Sequence, residues 1–211
     1  MIDSSNTGST GAISAIDTVS NTVAATLPIG PFDPRGIAVN PQGDRIYAAN
    51  SPLNSVLVIN TIGLQVVATI PVGINPVSVA VNPAGTRVYV TNRNFAGVAG
   101  NDTVSVIDSA TNQVVGSIQV GKGPEGVAVS PDGNRVYVAN STQHVISGTG
   151  TVSVISASTN SVVTTIAVGL EPFGLAVRPD GTRLYVTNVL NRNVSVVDTD
   201  KRCDCDGTRW P

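Results

Sequence analysis

The chain has 211 residues, a formal net charge of −2 and only 12% charged residues, so it lacks the clustered Lys and Arg that a phosphate backbone requires and gives no footprint for nucleic acid. Its hydrophobic fraction of 41% is enough for a core, yet no run of about 18 apolar residues exists to span a membrane. The start MIDSSNTGST lacks the basic and apolar regions of a secretory signal, so an exported form is expected to have had its signal removed.

Taken in chain order, residues 1–10 form a polar extension, and residues 11–30 contain two β-branched runs within ISAIDTVSNTVAATLPIG. A phrase then recurs: RIYAAN at 45–50, RVYVTN at 87–92, RVYVAN at 135–140 and RLYVTN at 183–188. All four tyrosines of the chain, Tyr47, Tyr89, Tyr137 and Tyr185, occupy the same place in it, at intervals of 42, 48 and 48 residues. Self-similarity at this period marks a repeat architecture, in which one unit cannot bury its apolar face alone and neighbours stack to make the core. The units run 31–73, 74–121 and 122–169, with a partial unit at 11–30 and another at 170–200; 11–200 is read as one domain and 201–211 as a non-repeat tail.

The unit 122–169 contains four apolar runs, GVAV, RVYVA, TVSVI and VVTTIAV, each β-branched and too short for a helix. They predict strands A to D of an antiparallel meander. Between A and B stands SPDG, where Pro131 sets one turn dihedral, Asp132 bonds nearby backbone and Gly133 takes positive φ; NPQG, NPAG and RPDG repeat the hairpin in the other units. Four-stranded units of 40–50 residues are blades, and the expected fold is an all-β propeller of about four blades' worth of repeats.

PDGNRVYVAN, followed by TVSVI and a closing VVTTIAVG, resembles the YVTN-type β-propeller repeat of cell-surface layer proteins and YncE-like propellers over roughly residues 11 to 200. The resemblance implies a propeller fold and a menu of activities, among them lactonases, periplasmic binding proteins and adhesive surface modules. Blade counting leaves three arrangements open. Residues 13–30 match strands C and D and residues 170–198 match A, B and C, so a four-bladed ring closes if the strand about Thr22 to Ile29 pairs with Val194 to Asp198, leaving Ile13 to Ile16 surplus. Alternatively two chains complete a larger ring, or the chain is an open arc cut from a longer propeller, against which unpaired edge strands are the physical objection.

Residues repeated in every unit are expected to be structural. This applies to the tyrosines and also to Arg45, Arg87, Arg135 and Arg183, which precede them by two and are expected to be solvated or ion-paired rather than an anion site. Variation is concentrated on the face that carries the D-to-A and B-to-C loops. Two B-to-C loops are long, Asn92 to Val104 and Asn140 to Val152 spanning twelve residues where the other two span six, and they bring Arg93, Phe95, Asp102 and the only histidine, His144, to adjacent blades as a candidate recognition ridge. The D-to-A loops add Asp33, Arg35, Glu125 and Glu171, a candidate mouth for Ca²⁺ or a polar small molecule, though no spacing rule specifies a metal site and no cofactor is required.

HExxH, GxSxG and P-loop motifs are absent, and the only cysteines, Cys203 and Cys205, lie in the tail as half a zinc site, read as a frayed or non-native end. The sequence therefore points to a non-catalytic binding or scaffold module presenting loops to a protein or glycan at the cell surface or in the periplasm, as a monomer or a ring-completing homodimer. The alternative, drawn from the resemblance, is a lactonase-like hydrolase with Glu125, Glu171 and His144 as acid–base groups and Arg35 orienting an anionic substrate.

Overall fold

The β-branched runs fold as eighteen strands, and no helix occurs among the described residues. The computed structural model describes the backbone of residues 2–3 and residues 11–30, 33–94, 102–141 and 149–199. The first sheet joins β1 (Ile2–Asp3), β2 (Gly11–Asp17) and β3 (Thr22–Gly30). The second contains β4 (Pro34–Val39), β5 (Arg45–Asn50), β6 (Ser55–Asn60) and β7 (Gln65–Pro71), and the third β8 (Pro76–Val81), β9 (Arg87–Asn92), β10 (Thr103–Asp108) and β11 (Gln113–Gln119). The fourth has β12 (Pro124–Val129), β13 (Arg135–Asn140), β14 (Gly150–Ser156) and β15 (Ser161–Val168), and the fifth β16 (Pro172–Val177), β17 (Arg183–Asn188) and β18 (Asn193–Asp198). Every pairing is antiparallel between consecutive strands, which is the meander of a propeller blade.

The A-to-B turns form as their residues dictate. Gly133 takes φ of 74° and its N–H bonds the carbonyl of Ser130 at 2.9 Å, while Gly43, Gly85 and Gly181 repeat this conformation with φ between 73° and 79°. Asp132 accepts from the hydroxyl of Ser130 and the N–H of Asn134, and these bonds hold its carboxyl below the ordinary value of 3.8. Asp180 is lowered first by the N–H of Thr182, and Asp108, in the C-to-D turn of the third sheet, first by the N–H of Thr111. A folded-state pKa below the unfolded one stabilises above the unfolded value and loses that stability as pH falls through the depressed one. The urea midpoint is therefore expected to hold steady from pH 7 to pH 5 and to fall below about pH 4, with Asp132→Asn flattening the acid limb. An acid limb that is identical in that variant would remove Asp132 from the account.

The sheets meet most closely at their A strands, β4 on β8, β8 on β12 and β12 on β16, and separate toward their largely exposed D strands, so each gap is a wedge that widens outward. One pattern fills all of these wedges. On β5, β9 and β13 the tyrosine faces the following sheet, and the residues on either side of it face the preceding one. Tyr47, Val56 and Val58 pack with Val88, Val90 and Ile107; Tyr89, Val104 and Val106 with Val136, Val138 and Ile155; and Tyr137, Val152 and Val154 with Leu184 and Val186. The first sheet joins through Ile13 and Ile29 against Ile46, Ala48, Leu57 and Ile59. With both faces covered, all residues from Val136 to Asn140 are buried, whereas β17 alternates buried and exposed because only one of its faces is packed.

Two expectations about the ends are corrected. Strand β3 pairs with β2, and β18 pairs with β17 alone among the described residues, so the pairing that would close a four-bladed ring is not made. The strand at Ile13 to Ile16 is not surplus: it lies within β2, which pairs with β1 from the amino-terminal extension as well as with β3. The result is an arc of five sheets, three of them four-stranded.

Candidate functional site

The face that carries the B-to-C and D-to-A loops begins at the asparagine that ends each repeated phrase. The amide Nδ2 of Asn92 donates to Thr103 Oγ1 at 3.1 Å and Ser105 Oγ at 2.9 Å, and Asn140 donates to Thr151 and Ser153 at the same two distances. Asn188 donates to Asn193 Oδ1 and Ser195 Oγ, both at 2.9 Å. A Cβ at Gly73, Gly121 or Gly169 of the preceding D-to-A loop would stand 2.5–2.6 Å from these amides, so the asparagine is a strut seated on a glycine. The second sheet has Leu57 in place of the serine, and neither amide atom of buried Asn50 has a hydrogen-bond partner there. Sequence reasoning missed the strut, although the asparagine that ends every repeated phrase, with a serine at a fixed place in three of the four units, was its signal.

Above the struts the structure gathers charges from three D-to-A loops and one long B-to-C loop. Arg93, directly after Asn92, forms an ion pair with Glu125 of β12, and their side chains are only 6% and 4% exposed. The pair bridges the third and fourth sheets, beside a 2.7 Å bond from Thr91 Oγ1 to the carbonyl of Glu125. Burial lowers the Arg93 guanidinium pKa most; the charge of Arg35 lowers it further, while Asp102 and Glu171 oppose both. Arg35, Asp102, Glu125 and Glu171 thus all stand within electrostatic reach of one buried guanidinium.

The remaining members are placed more loosely. Asp33 pairs with Arg35 at 3.2 Å with both about 40% exposed, a contact of the kind that contributes little in water. Asp102 accepts the N–H of Asn94 at 3.0 Å, pinning the neck of the long loop, and its carbonyl accepts Gln119 Nε2 at 2.9 Å. Glu171 sits at φ of 50°, in the left-handed region, and its carbonyl accepts the N–H of Val189. Phe95, His144, Cys203 and Cys205 lie outside the described residues. No group of three His, Cys, Asp or Glu side chains able to hold a metal occurs among the described residues, so the carboxylates at this mouth do not gather into a Ca²⁺ cage.

On the opposite face, Arg87 pairs with Asp108 at 2.6 Å and Arg183 with Asp198 at 2.7 Å, each across the B–C register. Arg45 and Arg135 face Asn60 and Ser156 instead. The repeated arginines therefore act locally, and two of the four are engaged by cross-strand carboxylates. No helix of the described residues is long and apolar enough to cross a membrane.

Comparison with known proteins places this geometry. A family model described as choice-of-anchor I domain matches residues 35–165, more than half of the chain. Among solved structures, the chain is similar to one from Kuenenia stuttgartiensis hydrazine synthase, with a TM-score of 0.80 and 25% identity over 90% of this chain. The match covers 57% of that chain, so the present chain spans a little over half the length of this relative. No curated protein matches the sequence.

Proposed function

Because this chain belongs to the choice-of-anchor I domain family, we propose that it serves as a non-catalytic propeller module that displays its long B-to-C loops to a protein or glycan at the cell surface or in the periplasm. The YVTN-type likeness of its repeat, a family that includes surface-layer proteins, supports the same setting. The observation that carries the reading is the buried Arg93–Glu125 pair. It takes the one deeply placed carboxylate of the mouth and engages it in fastening the stem of a long loop to the next blade. A general acid or base must instead present its carboxyl to substrate, which leaves the lactonase reading without a favouring observation. A pinned stem on a rigid scaffold is what a displayed recognition loop needs, since ordering it costs less at binding.

The test is capture by the immobilised protein of glycans on an array and of proteins from an envelope fraction, repeated after deletion of residues 95–100 and 142–148. Both deletions fall beyond the loop stems, so circular dichroism is expected to stay strand-rich while retention drops at least tenfold. Retention that survives both deletions would transfer recognition to another surface.

A further inference from the structure

Each D strand is the outer edge of its sheet: among the described residues β3, β7, β11 and β15 pair with one neighbour only, which leaves a row of backbone N–H and C=O groups on the other side. Such an edge is a template for strand addition by another chain, and proteins commonly blunt it with charged side chains, with proline or with a bulge. Charge is missing here. TVAATLPIG, QVVATIP, QVVGSIQ and SVVTTIAV hold no Asp, Glu, Lys or Arg, and β11 and β15 hold no proline either. Val114, Val115 and Val163 are 39%, 51% and 48% exposed, and a β-branched, uncharged run such as SVVTTIAV has the composition of segments that stack into cross-β assemblies.

What the four edges share instead is one extra residue. β10 pairs Val106 with Gly116 and Ile107 with Val114, so Val115 has no partner, and β14 pairs Val154 with Thr164 and Ile155 with Val162, so Val163 has none. Val67 of β7 and Ala24 of β3 are left over at the same place. An extra residue bends the strand and raises its local twist, which breaks the straight row of donors and acceptors that an incoming strand must meet.

We infer that the extra residue, Val115 in β11 and Val163 in β15, guards the rim of the arc against strand addition by other copies of the chain, in place of the charges that these edges lack. β11 and β15 belong to the third and fourth sheets, each flanked by a sheet on both sides, so their edges are set by the meander itself. In β3 and β7 a proline, Pro28 or Pro71, stands beside the extra residue as a second interruption, whereas in β11 and β15 the bulge acts without one. The guard is independent of what the loops recognise.

Deletion of Val115 or of Val163 tests it, because each deletion removes the unpaired residue and leaves every other partner of the register in place. Light scattering and thioflavin T fluorescence are followed for wild type and variants at one concentration. Each deletion variant is expected to keep strand-rich circular dichroism and to assemble about tenfold faster than the wild type, or more. Adding Ser117→Lys to the first deletion, or Thr165→Lys to the second, places a charge at an exposed position of the same edge and is expected to return assembly to the wild-type rate. Folded deletion variants that assemble no faster than the wild type overturn the inference. Fast assembly that the lysines do not slow overturns it as well, since the route would then not run through the edge. Loss of the strand signal in both deletions would assign the extra residue to the folding of the blade and overturn its role as a guard.

Discussion

Tyr137→Ala is expected to lower the free energy of unfolding by ~3–5 kcal/mol, the range of large-to-small aromatic changes in packed cores, and Tyr185→Ala by only about 1–2 kcal/mol. The difference follows from position in the arc. Tyr137 is 5% exposed, held between its own sheet and Leu184 and Val186 of the next, so truncation leaves a cavity that two rigid sheets cannot collapse. Tyr185 is 39% exposed, on a face of the fifth sheet that no other sheet of the described residues packs against. Urea denaturation of the two variants, at a concentration where the wild-type chain is a single copy, measures both. Equal losses would break the link between the tyrosine and the inter-sheet wedge. Tyr47 adds a control, because its buried hydroxyl has no hydrogen-bond partner and Tyr47→Phe is expected to be neutral or mildly stabilising.

How much of this was legible in the sequence depends on the distance over which each feature is decided. RVYVAN and SPDG decide their own conformations within a few residues, and the strands and the positive φ of Gly133 follow directly. The tyrosine's burial was legible as well, since a side chain repeated at the blade period answers to packing. The partner of β3 was not legible. Thr22–Gly30 has the pattern of any D strand and can complete either β2 or β18, so the hydrophobic pattern is silent between them. The structure chooses β2, four residues back along the chain, where closing the connection costs far less entropy than reaching across five sheets. The charged mouth was half legible. Placing Arg35, Asp102, Glu125 and Glu171 on one face required only the meander, but no spacing rule joins Arg93 to Glu125, which lie on different blades and meet only because adjacent A and B strands converge there.

That pair supports the second large effect. Glu125→Gln is expected to cost about 1–3 kcal/mol, because it removes the nearest counter-charge from the enclosed Arg93 guanidinium while the charges of Asp102 and Glu171 remain within its reach. Arg93→Met combined with Glu125→Leu removes both charges while keeping apolar volume, and is expected to lie within about 1–2 kcal/mol of the wild type. The strongly non-additive outcome, a double variant more stable than the single one, is the signature of a buried ion pair and would appear in a double-mutant cycle measured by urea unfolding. The same cycle separates structure from recognition. If the pair serves to hold the stem of the long loop at a fixed angle, the apolar double variant restores stability but not partner retention, since packed methylenes hold the stem less strictly than a charge-assisted contact with one direction of approach. Retention restored together with stability would assign the pair to the fold alone and return recognition to the loop residues beyond it.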